Sequence, residues 1–305
     1  MSKIEEALKK AKASRGDNVT SIRANSNMMA ARSAETGMVV GHETLGNSVT
    51  IGNSIVRHDT SAKEIALMNN GELLEQHELA EMRIIHSDMQ DAGIANTYRD
   101  LRTKLIQRSQ GRNFIAMLTS CVAGEDSSST SLNLATAFSF DESKTSLLID
   151  CNLNNPRLDA FLGLETNAGL TDYLENEHID IESILHTTGI KRLKVIPAGT
   201  SRETATEYFT SLRMRQLMSG LLSRYDDRYI FIDAAPITES ADTRILVELC
   251  DFVLLVVPYG RVTKNRIREA ADAIGKDKLL GVVFNDIPRM PKIKLPVFLN
   301  KILGV

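Results

Sequence analysis

The residues best placed to do chemistry are a loop of small residues, Cys121 to Ser128 (CVAGEDSS), and two aspartates, Asp150 and Asp233. Each follows a short apolar run: Phe114 to Leu118 before the loop, Leu147 to Ile149 before Asp150, and Tyr229 to Ile232 before Asp233. A loop of small residues lets backbone amides close around an oxyanion, and a hydroxyl with one or two carboxylates can hold a divalent cation. Together they spell phosphate and magnesium chemistry. Whether this copy still performs it depends on the residues inside the loop.

The elements that position them are legible. The apolar run ending at Leu118 reads as a buried strand, and the segment carrying Leu132, Leu134, Ala135 and Phe138 as a helix. Leu147 to Ile149 form a second strand. Strand, loop, helix, strand is the opening of a P-loop nucleotide-binding fold. A working loop reads G-x-x-x-x-G-K-[ST], with a lysine for the β/γ oxygens and a hydroxyl for magnesium. In register, Cys121 takes the first glycine position, Asp126 the second and Ser127 that of the lysine; only Ser128 fits. Asp126 adds a carboxylate beside phosphate charge, and the missing lysine is a point charge that water replaces poorly in a closed site. The candidate nucleotide-binding residues, read as vestigial, are Gly124, Glu125, Asp126, Ser127, Ser128 and Asn285. The vestigial magnesium set is Ser128, Asp150 and Asp233. No catalytic residue is assigned and no cofactor is expected; the alternative is ATP or ADP with Mg2+.

Downstream, Leu193 to Ile196, Phe252 to Val257 and Leu280 to Phe284 read as further buried strands, the last ending at Asn285. Helical patterns intervene over about 169–186, 205–224, 240–249 and 262–275. Apolar runs alternating with helices predict an α/β fold: a doubly wound, mostly parallel sheet with helices on both faces. Ligands in such sheets sit at the carboxyl ends of strands, so the loop, Asp150, Asp233 and Asn285 are expected along one edge. Upstream, residues 94–109 form an amphipathic helix and Arg83 to Ile85 a short strand. The organisation predicted is a helix over 1–13, a linker or arm over 14–80 rich in Ser, Asn, Thr and Gly, the nucleotide-binding-type domain over 81–289, and a basic, apolar tail over 290–305.

Composition narrows the function classes. A net charge of −3 and the absence of Trp argue against nucleic-acid binding and single-strand stacking. Cys121, Cys151 and Cys250 flank strands and read as buried thiols of a reducing compartment. The start, MSKIEEALKKAK, lacks an apolar signal core, and no apolar run reaches about 18 residues. The protein is expected in the cytoplasm, with membrane contact only through a partner or the C-terminal tail.

The order YRDLRTKL, TSCVAGEDSSSTSLNLA, LLIDCNLNNPRL, GLTDYL, VIPAG, YIFIDAAP, VLLVV and GVVFN resembles the bacterial tyrosine kinases of exopolysaccharide and capsule synthesis, over roughly residues 80–287. The first twelve residues resemble stand-alone cytosolic members. The resemblance implies an ATP–magnesium site, a membrane chain-length-determinant or co-polymerase as partner, and ring assembly through a helix motif E-x-x-R-x-x-R. In that motif Asn96 takes the glutamate position while Arg99 and Arg102 remain. The departures fall on the chemistry. The family's PGEGK[ST] is AGEDSS here. In its D-x-D-x-R, Asp150 stands but Asn152 and Asn154 replace the second aspartate and the arginine, and asparagine cannot serve as a carboxylate base. In its D-T-P-P, Asp233 is kept but Ala234 and Ala235 follow. The last tyrosine is Tyr259, so the C-terminal tyrosine cluster of the kinases is absent.

Phosphate grip, base and acceptor are thus lost together while the buried runs survive. That pattern favours an inactive kinase-fold protein acting by contact. The competing readings are an enzyme still binding ATP–Mg through Ser128, Asp150 and Asp233; a partition-type ATPase, whose signature lysine would stand where Val122 does; and a scaffold unrelated to polysaccharide export.

Overall fold

The computed structural model describes residues 71–87, 89, 92–123, 127–164, 166, 168–200, 206–223 and 227–287. The expected helix over 1–13, the arm over 14–70 and the tail over 290–305 lie outside them. Among the described residues a seven-stranded sheet has the order β3-β4-β2-β5-β1-β6-β7. The strands are β1 (Ile115–Ser120), β2 (Thr145–Asp150), β3 (His186–Thr187), β4 (Leu193–Ile196), β5 (Arg228–Asp233), β6 (Phe252–Pro258) and β7 (Leu279–Asn285). Every pairing is parallel except β3 with β4. The helices are α1 (Gln76–Glu81), α2 (Ala92–Ser109), α3 (Ser127–Ser139), α4 (Leu158–Leu162), α5 (Leu170–Glu175), α6 (Thr206–Thr210), α7 (Leu212–Ser223), α8 (Ala241–Glu248) and α9 (Lys264–Ile274).

The continuous apolar runs have a simple cause. Successive side chains of a strand point to opposite faces, and here both faces are covered. Met117, Ile149, Ile232 and Leu255 face one core with Met214 and Leu217 of α7 and Leu246 of α8. Leu118, Leu148, Phe231 and Leu254 face the other, with Leu105 of α2 and Leu132, Ala135 and Phe138 of α3. Helix α3 is enclosed on almost every side and built largely of Ser, Thr and Ala. Three of its hydroxyls survive burial by donating to their own helix: Ser131 to Ser127 O, Thr136 to Leu132 O, Ser139 to Thr136 O.

Several expectations change. Arg83 to Ile85 is not a strand. Ile84 and Ile85 are buried, but their backbone is satisfied by Leu79 O and by Asn133 of α3, whose Oδ1 accepts from Ile85 N at 2.8 Å and whose Nδ2 donates to Arg83 O. Residues 71–80, assigned to the linker, carry α1 and bond onto the domain through Leu74 N to Gly189 O, 3.0 Å. The single helix expected over 205–224 is two, because Ser211 turns its hydroxyl to accept from Met214 N and caps α7. The two-residue β3 was not anticipated. Near the site, α5 packs against the turn after β4 so closely that a Cβ on Gly169 would lie 2.4 Å from Gly199 N.

Candidate functional site

The site is assembled at the carboxyl ends of β1, β2 and β5. Register puts Asp150 of β2 directly beside Asp233 of β5, and β1 runs on the other side of β5. Both aspartates are fully buried. Asp233 is held by α3: its carboxylate accepts from Ser128 Oγ at 2.5 Å and from Ser131 Oγ at 3.0 Å. Asp150 turns back on its own loop. Its Oδ1 accepts from Asn152 N at 3.0 Å, and its Oδ2 from Arg157 N and Leu158 N at 3.1 and 3.2 Å. Burial pushes its carboxyl up to about 6, and the three amides, which favour the charged form, only partly offset this. Asp150 therefore closes the turn that leads into α4.

In front of these residues lies a cavity of about 230 Å3, with Ser127, Ser128, Asn152, Asn154, Arg157 and Glu239 in its walls. Two of these were not singled out from the sequence. Arg157 follows the Asn-Asn-Pro turn and brings a cation to the rim. Glu239 reaches across from the loop after β5, and its Oε1 accepts the Ala123 amide at 3.1 Å. The same carboxylate lies 3.9 Å from Arg266 of α9. The amide of Ala123, at the head of the loop, thus faces a carboxylate of the same chain at an exposed rim. The only signal for Glu239 was its place a few residues beyond the Asp233 motif.

Gly124, Glu125 and Asp126 lie outside the described residues. Ser127, read from the sequence as standing at the lysine position, lines the cavity together with Ser128. Asn285 is not among the described residues that line this cavity. It ends β7, two strands away from β1, and its carbonyl accepts from Tyr259 N. Of the assembly residues, Arg99 donates to Asn96 Oδ1 within α2, while Arg102 turns inward and donates to Ala137 O at the end of α3. The three cysteines are free and buried, and burial raises the thiols of Cys151 and Cys250.

An ATP–magnesium group fits this donor set only in part. Ser128 with Asp233 is a hydroxyl–carboxylate pair that a hard cation would accept. The phosphate half does not fit: Asn152 and Asn154 stand where charges would act, Asp150 spends both oxygens on amides, and Glu239 adds negative charge at the loop. The cavity is also smaller than the roughly 300–1,000 Å3 usual for small-molecule sites.

No family model matches the chain. Curated proteins do. The chain is 29% identical over 212 residues to tyrosine-protein kinase CpsD of Streptococcus agalactiae, covering 68% of this chain and 90% of that one. It is 32% identical over 191 residues to tyrosine-protein kinase YwqD of Bacillus subtilis, covering 62% and 79%. CpsD of Streptococcus pneumoniae is 32% identical over 196 residues, covering 63% and 85%. The fold matches the chimerical protein CapA2B2 at a TM-score of 0.62, with 22% identity over 76% of this chain and all of that one. It matches the kinase domain of Escherichia coli ETK at 0.61, with 18% identity over 77% and 96%. Among the described residues no helix is long and apolar enough to cross a membrane. With the ordered motifs, the sheet and these relatives in agreement, the chain belongs to the bacterial tyrosine-kinase family of exopolysaccharide and capsule biosynthesis.

Proposed function

We propose that this family member is a pseudokinase of exopolysaccharide or capsule export, acting by contact as a regulatory or structural partner of a membrane chain-length-determinant or co-polymerase protein. The observation that carries the reading is the Glu239 carboxylate on the Ala123 amide, at a loop that also lacks the lysine and gains Asp126. One amide of the loop is occupied by a carboxylate of the same chain, on a side chain exposed at the rim. The intact double core supports a role that needs the shape of the domain and not its turnover. Arg99 and the C-terminal tail are the expected contact elements, any self-association runs through the same helix, and the place of action is the inner face of the plasma membrane.

A specific observation favours the second reading, an unorthodox nucleotide-binding kinase or ATPase. Ser128 and Asp233 keep the hydroxyl–carboxylate pair, and Arg157 supplies a cation at the rim. Calorimetric titration of Mg–ATP and Mg–ADP separates the two. The pseudokinase reading expects no heat with the natural protein and restored binding in an Asp126→Gly, Ser127→Lys variant. Binding at about 1–10 μM by the natural protein, worth about 7–8 kcal/mol, would sink it in favour of nucleotide-controlled assembly.

A further inference from the structure

We propose that a second, larger cavity at the opposite end of α3 binds a small amphipathic phosphate, an ester with an apolar body. This cavity measures about 620 Å3, within the usual range for small-molecule sites and well above the volume at the vestigial loop. Sequence-distant segments enclose it: residues 73–87, the α2 helix, the end of α3 and the turn before β4.

Its chemistry is two-sided. Leu74, Leu79, Ile85 and Ile190 provide an apolar floor. Arg99 and Arg102 arrive from α2, and Lys191 and Arg192 from the turn before β4. No carboxylate is among the described lining residues; Asp141, whose carboxyl Arg102 helps to hold down, lies outside the wall. Four cations around an apolar floor match a doubly charged head on an apolar body, and guanidinium forks suit phosphate oxygens. Phe140 and His86 are the aromatic side chains among the described lining residues, and the aliphatic floor outnumbers them, which favours an alkyl body over a stacked base.

Capping of α3 explains part of this arrangement. Arg102 donates to Ala137 O and Arg192 Nε to Ser139 O, each at 2.9 Å, satisfying carbonyls at the helix end. That role explains neither Lys191 nor Arg99, and it does not require a cavity. It does fix the Arg102 guanidinium, which carries five N–H groups and is not exhausted by one bond. A further polar atom in the wall awaits a partner: His86 Nδ1 is buried without a hydrogen bond. A phosphate oxygen would supply an acceptor there, and ordered arginines would spend little entropy on binding.

The test is calorimetric titration of the full chain with octyl phosphate below its micelle concentration, with octanol and inorganic phosphate as controls. A parallel arm measures co-sedimentation with phosphatidylcholine vesicles with and without phosphatidic acid. Arg99→Glu with Lys191→Glu reverses two exposed rim charges, and Thr103→Trp fills the cavity while keeping its cations; thermal melts verify that both fold. Saturable binding of octyl phosphate, weakened about tenfold or more by each variant, supports the proposal. Vesicle binding lost in both variants then assigns the ligand to a membrane lipid, and its absence assigns it to a soluble ester. Absence of heat, equal affinity for inorganic phosphate, or binding that survives Thr103→Trp overturns it. None of these outcomes depends on whether Mg–ATP binds at the other end of α3.

Discussion

The Ser128–Asp233 contact separates a structural carboxylate from one kept for a metal, and a double-mutant cycle measures it. Asp233 is fully buried and accepts from two hydroxyls. Ser131 has a second acceptor in Ser127 O and loses little if Asp233 is truncated. Ser128 would be left as a buried hydroxyl facing a void. A hydrogen bond to a charged group contributes about 1.5–3 kcal/mol net, and an orphaned buried donor costs about 1–3 kcal/mol. In the natural background Ser128→Ala is therefore expected to destabilise by roughly 1.5–3 kcal/mol. In an Asp233→Ala background the same change should be neutral or stabilising, since the hydroxyl no longer has its acceptor. The coupling is then about 1.5–3 kcal/mol. The assay is urea unfolding of the four proteins in chelator, with equal slopes required before midpoints are compared. A coupling below about 0.5 kcal/mol in chelator that grows on adding magnesium would refute the structural role. So would an increase in stability in Asp233→Ala alone, the usual result of removing a group kept for function.

Asp150 should give the fold a pH dependence of unusual sign for a carboxylate. Its folded value, about 6, lies above the ordinary 3.8, so its contribution is fully present below about 3.8 and lost as pH rises through about 6. The lost amount is roughly 3 kcal/mol at 1.36 kcal/mol per unit. Asp150→Asn should therefore gain on the natural protein by about that amount between pH 4 and 7.5, and parallel urea midpoints across that range would contradict it. Gly169→Ala should cost about 3 kcal/mol or more, because its Cβ would collide with the Gly199 backbone. Gly220→Ala, in open space on α7, should gain about 0.5–1 kcal/mol; equal melting shifts for the two would defeat the packing argument. Asn133→Leu should leave the backbone at Ile85 and Arg83 without partners. It should raise hydrogen exchange at 83–85 about tenfold or more, the equivalent of one unsatisfied group at about 1–3 kcal/mol; unchanged protection would show that the segment is held otherwise.

The strand runs, the parallel sheet and the placement of Asp150 and Asp233 at strand ends were all legible in the sequence. Burial on both faces writes itself as unbroken apolar residues, and the carboxyl end of each run is read directly. The nearness of the loop serines to the strand-end aspartates was legible too: Ser128 donates to Asp233, and Ser127 lines the cavity. Segments whose backbone is satisfied by something other than a ladder were not. Residues 83–85 look like a strand because Ile84 and Ile85 are adjacent β-branched apolar residues, yet an asparagine 48 residues from Ile85 takes the place of a partner strand. The β3–β4 hairpin is too short to leave a period.

The sequence by itself determined the α/β fold and the residue types that stand at its strand ends, Asp126 and Ser127 in the loop and Asn152 and Asn154 after β2, because residue type within a contiguous stretch is read directly. Only the tertiary structure decided what became of the groups that remained. It turned Asp150 onto its own loop amides, set Glu239 against the Ala123 amide, brought Arg157 to the rim and left Asn285 aside. It also gathered Arg99, Arg102, Lys191 and Arg192 around one cavity. These juxtapositions join residues up to 116 positions apart. Strand order and the direction of buried side chains create them, and local pattern carries neither.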